Sequence, residues 1–129
     1  MREIKFRAWD KVMKRWHYNP MSFSFRETEI YTHLDFNQYT GLKDMNDKEI
    51  YEGDIVNLKI TYWNNCNKEY VEYEREFTGE ITDFRWLGWS VRYKEKDNNG
   101  DYPLMWLLGQ DYTIEVKGNI YDNPELLDN

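Results

Sequence analysis

The sequence predicts a mainly β fold: a small, strongly curved sheet or barrel with an N-terminal β-hairpin extension and a short C-terminal helical turn. Three observations predict it. Apolar side chains recur at every second residue through most of the chain, the period of a half-buried strand. Aromatic residues make up 18% of the chain, with 6 Trp, 11 Tyr and 6 Phe, and rings pack well on a pleated, half-buried surface. Ala8 is the only alanine, so the best helix former is missing. The 129 residues suffice for one domain around one core. Within it, residues 1–37 read as an N-terminal β extension and residues 38–129 as a β-barrel-like core.

Ile4, Phe6 and Ala8 alternate with Glu3, Lys5 and Arg7, and Trp16 and Tyr18 are in phase after the polar connection at Lys11. Two such runs predict a hairpin, ended at Asn19-Pro20 because proline cannot donate to a ladder. Phe23 and Phe25 are in phase, and Glu29–Thr32 has the pattern of a short strand. The stretch Gln38–Val56 holds two turn signals, Thr40-Gly41 and Glu52-Gly53-Asp54, around the polar centre Lys43–Glu49. Beyond it Val56, Leu58, Ile60 and Tyr62 share one face. Asn64–Lys68 predicts a polar loop.

In the next strand Val71, Tyr73, Phe77 and Ile81 point inward and Glu72, Glu74, Glu76 and Glu80 outward. Gly79 on the inner face predicts a bend or bulge. Trp89, Val91 and Tyr93 continue the inward face, with Ser90 and Arg92 outward. Lys94–Asp101 predicts a charged hairpin loop, and the apolar run Leu104–Leu108 has no decisive period. Ile114, Val116 and Ile120 define a last strand. Asn123-Pro124-Glu125 has the composition of a helix start, closing with Leu126 and Leu127 packed on the sheet.

The net charge is −7 and unevenly spread, +4 over residues 1–20 and −11 over residues 21–129. So acidic a body repels phosphate at long range, which disfavours generic nucleic-acid binding. The basic segment is either a local contact for an anionic partner or an ordinary hairpin with solvated stems. A lone cysteine, Cys66, excludes an intramolecular disulfide framework and sits easily with a reducing cytoplasm. The N-terminus lacks an apolar signal region, and no apolar run approaches the ~20 residues of a membrane span.

Chemistry-bearing patterns are sparse. Asp44, Asp47, Glu49, Glu52 and Asp54 lack the glycine and distal glutamate of a calcium loop, so turn-forming carboxylates account for them. Asp54, at a strand start after Gly53, is expected to accept from local backbone amides. One cysteine and two distant histidines make poor zinc ligands, and Cys66, although His17 or His33 could formally serve as its base, sits in an Asn-rich stretch whose only cation is Lys68. No phosphate-cradling loop or nucleophile elbow is present. The expectation is therefore no catalytic residue, no metal and no cofactor. Two candidate binding patches remain: Arg7, Trp9, Lys14, Arg15 and Trp16 on the basic hairpin, and Arg85, Trp86, Trp89 and Arg92. Trp, Tyr and Arg anchor protein interfaces, so the leading expectation is a non-catalytic module that binds another protein or its own copies. The alternative is an accessory protein stacking single-stranded nucleic acid on the basic hairpin.

Five stretches together resemble the YopX family of small phage and prophage proteins: Ile4–Asp10, Gln38–Asp44, Lys48–Val56, Gly79-Glu80-Ile81 and Glu115–Leu127. Residues 57–76 and 82–110 depart from the pattern, and Met45-Asn46-Asp47 replaces the more usual Asn-Gly style of turn. The resemblance implies a mainly-β fold, a phage or prophage origin and a bacterial cytoplasm, so that a bound protein other than its own copies is expected to be a host or phage protein. It implies no reaction, so no catalytic residue carries over.

Overall fold

The computed structural model describes residues 5–18, 33–66, 69–83, 88–95 and 98–128. Nine strands are found among them: β1 Phe6–Asp10, β2 Arg15–Tyr18, β3 Leu34–Lys43, β4 Glu49–Tyr51, β5 Asp54–Cys66, β6 Glu69–Asp83, β7 Trp89–Glu95, β8 Asn98–Pro103 and β9 Asp111–Asn119. They form two antiparallel sheets, ordered β2-β1-β3-β4 and β8-β7-β6-β5-β9. The fold is mainly β, as expected, and the second sheet curls into a half-barrel. The division between the sheets falls at the Glu52-Gly53 turn, not at residue 37. β3 pairs with β1 from Leu34 to Gln38, so the N-terminal hairpin is woven into the sheet that contains β3 and β4. The expected elements at Asn19-Pro20, Phe23, Phe25 and Glu29–Thr32 lie outside the described residues.

The β1–β2 hairpin turns on Asp10, whose Oδ1 accepts from the Val12 and Met13 amides at 3.0 and 2.9 Å. That arrangement places Lys14 at φ +56°, which non-glycine residues seldom adopt. The Thr40-Gly41 signal marks a bulge inside β3, not a turn. Gly41 has φ +86°, and the register against β4 slips between Tyr39 and Lys43. Thr40 Oγ1 donates to the Ile50 carbonyl at 2.7 Å and accepts from the Leu42 amide. The extra residues are thus absorbed while pairing continues.

Val56, Leu58, Ile60, Phe77, Ile81, Val91 and Ile114 line the concave face of the second sheet and form its core with Tyr102, Leu104 and Leu107. The period-two reading of β5 places its apolar face correctly. Tyr73 departs from it: β5 and β6 pair as far as Cys66 and Glu69, beyond the reach of β7 and β9. On that two-stranded ribbon Tyr73 is half exposed and stacks on Tyr62. Of the expected loop 64–68, residues 64–66 continue β5, and residues 67–68 lie outside the described residues. The expected loop 94–101 is mostly strand, with Lys94 opposite Asn99 and Arg92 opposite Asp101. Gly100 permits this, since a Cβ there would lie 2.5 Å from the Tyr93 ring. Ser90, expected outward, is fully buried.

Leu104–Leu107 is a 3-10 turn behind Pro103, and Pro124–Leu127 is another. The closing helical turn is therefore present, but Asn123 does not cap it. Its Oδ1 faces the Asn119 amide at 3.4 Å, and Leu126 is exposed.

Gly79 makes no bulge. The ladder runs unbroken through it to Val56 on one side and Tyr93 on the other. A Cβ there would strike the Arg92 carbonyl oxygen and come within 2.6 Å of Val91 Cγ1. The glycine is needed for close approach of β6 and β7. Gly79→Ala should therefore lower stability by about 1–3 kcal/mol through overpacking. A urea midpoint equal to that of the wild type would refute this account of Gly79.

Candidate functional site

The two sheets are joined through a polar junction. Arg7 of β1 and Asp54 of β5 form an ion pair at 2.7 Å, with side chains 6% and 2% exposed. Asp54 Oδ2 accepts from the Tyr51 amide at 2.8 Å, the local backbone role expected of it. The guanidinium also reaches Asn37 Oδ1 and the Glu52 carbonyl. It lies over the Trp16 ring at 4.1 Å and the Tyr51 ring at 4.8 Å. Asn37 Nδ2 in turn donates to the Tyr121 hydroxyl at 3.1 Å, and Tyr121 packs with Trp9 and Trp16. Burial pushes the Asp54 carboxyl above its ordinary range, and Arg7 and the Tyr51 amide only partly offset this.

A second clasp lies at the tip of the β3–β4 hairpin. Asp44 Oδ2 accepts from the Val116 amide at 2.9 Å, and its Oδ1 accepts from Asn46 and Lys48. The Met45 amide donates to the Ile114 carbonyl at 2.9 Å. The hairpin tip of the first sheet thus covers part of the β9 edge. Burial works against the Asp44 anion, but the Val116, Lys48 and Asn46 amides outweigh it and hold the carboxyl below its ordinary range. Lys5 pairs with Glu49. Asp44, Glu49 and Asp54 are thus engaged in holding turns and sheets together. Among the described residues, no group of three or more His, Cys, Asp or Glu is placed to hold a metal.

Beside the junction lies a polar cleft of about 240 Å³ lined by Asn37, Glu52, Glu80, Thr82, Asp83 and Tyr121, among others. Burial first, then Asp83 and Glu80, pushes the Glu52 carboxyl up. Burial likewise raises Glu80, with Arg92 opposing.

The residues expected to form binding patches are dispersed by the fold. Arg7 and Trp9 are buried in the junction, because the second sheet covers the face of β1 that they occupy. Trp16 is half-buried, and its Nε1 donates to Asp122 at 3.2 Å. Lys14 and Arg15 stay exposed at the hairpin tip. Trp89 packs partly buried against the core, while exposed Arg92 pairs with Asp101 at 3.1 Å. Arg85 and Trp86 lie outside the described residues.

A different surface gathers the exposed apolar side chains. A groove of about 300 Å³ has a floor of Ile50, Leu104, Leu107 and Ile114 and walls that include Leu42, Leu108 and Tyr112. Leu108 is 83% exposed, and Met45, Met105 and Trp106 next to it in sequence or fold are more than half exposed. The signal for this surface was the run Leu104–Leu108. A single 3-10 turn cannot bury five consecutive apolar residues, so three of them face solvent. The floor residues come from β4, the 3-10 turn and β9, which no sequence period connects.

The architecture defines a two-sheet, mainly-β protein with no helix long and apolar enough to cross a membrane among the described residues. The YopX protein family model matches residues 21–128, and the chain belongs to the YopX family. The match covers most of the chain, and the hairpin before residue 21 joins the same sheet as β3. The fold is similar to the crystal structure of protein EF1440 from Enterococcus faecalis, with TM-score 0.53 and 25% identity, over 99% of this chain and 100% of that one. Curated proteins provide no match.

Removing one partner of a buried ion pair leaves an uncompensated charge. Arg7→Met and Asp54→Asn should each cost about 3–5 kcal/mol, and the double Arg7→Met/Asp54→Asn variant clearly less than their sum. Additive losses in urea unfolding would contradict a direct coupling.

Asp44 and Glu52 should titrate with opposite effects on stability. The folded-state value of Asp44 lies below its ordinary 3.8. Its stabilisation is complete above that pH and fades as the pH falls through the folded-state value. Glu52 lies above its ordinary 4.5, so its contribution is complete below that pH and is lost as the pH rises through the folded-state value. Asp44→Asn should therefore flatten the acid limb of the stability profile, whereas Glu52→Gln should stabilise only on the less acidic side. Parallel shifts at all pH values, measured by urea unfolding, would argue against both assignments.

Proposed function

We propose that this YopX-family chain is a non-catalytic protein-binding module of phage or prophage origin, working in the cytoplasm of a bacterial host. Its docking surface is the groove between Leu42, Leu108 and Tyr112. One observation carries the reading: large apolar side chains stand exposed around a concave apolar floor. Contiguous exposed apolar surface of this kind marks contact sites. By contrast, the inter-sheet ionisable groups Arg7, Asp44 and Asp54 hold backbone and sheets together. The single-strand alternative is less well supported, since Arg7 and Trp9 are buried and the exposed Lys11 is paired with Asp35, which leaves Lys14, Arg15 and part of Trp16.

A photo-crosslinking amino acid placed at Leu108 should give a specific adduct with protein under the conditions in which the chain acts. The same group at Glu74, on the acidic face of the ribbon, should not. No adduct at Leu108, or equal adducts at both positions, would refute the groove as the docking surface.

A further inference from the structure

We infer that the groove takes an extended segment of a partner protein, which adds to the open edge of β9 as a further strand. This rests on the docking reading above and names the form of its partner. β9 is an edge strand of the second sheet, and in an antiparallel ladder only alternate residues turn their main-chain groups toward the neighbour. The Ile114 carbonyl and the Val116 amide turn away from β5, to the Met45 amide and to Asp44 Oδ2, both at 2.9 Å. Tyr112, Ile114 and Val116 stand opposite Ile60, Leu58 and Val56 in one unbroken register. By that alternation the Ile114 amide and both main-chain groups of Tyr112 also point outward. Among the described residues nothing bonds to these groups, and Tyr112 is 47% exposed.

Edge and groove together select one kind of occupant. Donors and an acceptor in strand register are matched by the backbone of another extended chain, whereas a helix has already bonded its own backbone groups. Tyr112 and Ile114 also line the groove. A strand added there lies along it, and every second side chain falls on the aliphatic floor. Lys43, which pairs with exposed Asp47 at 3.7 Å, is the one charged residue among the described lining, so a basic side chain facing the groove is disfavoured and apolar ones fit. The β3–β4 hairpin tip fixes where the segment begins. Asp44 and Met45 already cover β9 at Val116 and Ile114, and the segment continues that cover past Tyr112. Proteins otherwise blunt or cover such an edge, because it is a template for pairing. The net charge of −7 sets two copies of the chain against one another, which selects a different protein as the source of the strand.

NMR titration of the isotope-labelled full-length chain tests the inference, with a synthetic peptide of alternating leucine and serine as the probe. Its length is about seven residues, that of an ordinary strand. At saturation the Tyr112 and Ile114 amides should shift downfield and exchange with solvent at least about tenfold more slowly. Two N-methylated forms of the peptide, one at the leucines and one at the serines, should differ. Only the form whose blocked amides face β9 should bind at least about tenfold more weakly. Tyr112→Pro removes an outward amide without removing a bond to β5 and should abolish binding, whereas Tyr112→Ser keeps the amide and should retain part of it. Urea midpoints establish that both variants fold, and if the proline variant does not, the N-methylated peptides decide the matter. Equal binding of the two methylated forms, or tighter binding of a helical peptide of the same apolar content, would overturn the inference and leave the docking reading standing with another occupant. So would a concentration-dependent dimer that Tyr112→Pro abolishes, because a second copy would then fill the edge. No binding at millimolar peptide would also overturn it, and crosslinking at Leu108 then judges the docking reading separately.

Discussion

The buried Arg7–Asp54 pair is the constraint on which the relation of the two sheets depends. A guanidinium and a carboxylate taken out of water must satisfy one another and their remaining hydrogen-bonding groups, or the fold loses several kcal/mol. Here the remaining groups come from the first sheet and from the turn that leads into the second: Asn37 and the Tyr51 amide, and the Glu52 carbonyl. The pair therefore fixes where β1 sits over the start of β5. The aromatic rings of Trp16 and Tyr51 over the guanidinium make the same demand sterically. Substituting lysine for Arg7 would not conserve this arrangement, because an ammonium cannot share its charge among flat ring faces and several acceptors in the same way.

The Glu52-Gly53 turn extends the constraint. Gly53 adopts φ +84°, donates its amide to the Ile81 carbonyl and accepts at its own carbonyl from Ile120. Glu52 donates its amide to Gln38 of β3. One turn is thus hydrogen-bonded to both sheets, and with Asp44 at the other clasp it places the apolar groove. The groove exists because the tip of the β3–β4 hairpin is held against β9 by the Asp44–Val116 and Met45–Ile114 bonds. Leu42 and Ile50 then face Leu104, Leu107 and Ile114 across a gap that no other described element fills.

The division of labour among the acidic residues follows from the same geometry. Asp44 meets three backbone amides and is held ionised, while Glu52 meets Asp83 and Glu80 across the cleft and is disfavoured as an anion. In the sequence both belong to one acidic stretch, with nothing to distinguish them. Local composition identifies turn-forming carboxylates, but whether a carboxylate faces amides or other carboxylates depends on what the fold brings opposite.

By itself the sequence determined the strand character of the chain, the concave face of β5, the Glu52-Gly53-Asp54 turn, the closing turn at Pro124 and the family. These are properties of local alternation and turn chemistry, which act within a few residues. Asp54 was legible as a backbone-bonded carboxylate for the same reason. Tertiary structure alone decided that Arg7 and Trp9 lie buried, that Gly79 admits a neighbouring strand and that the Leu104–Leu108 run walls a groove. Each depends on a partner from another strand, such as Asp54 for Arg7 or Arg92 for Gly79. Burial is a property of two surfaces, and a single strand's pattern describes only one of them.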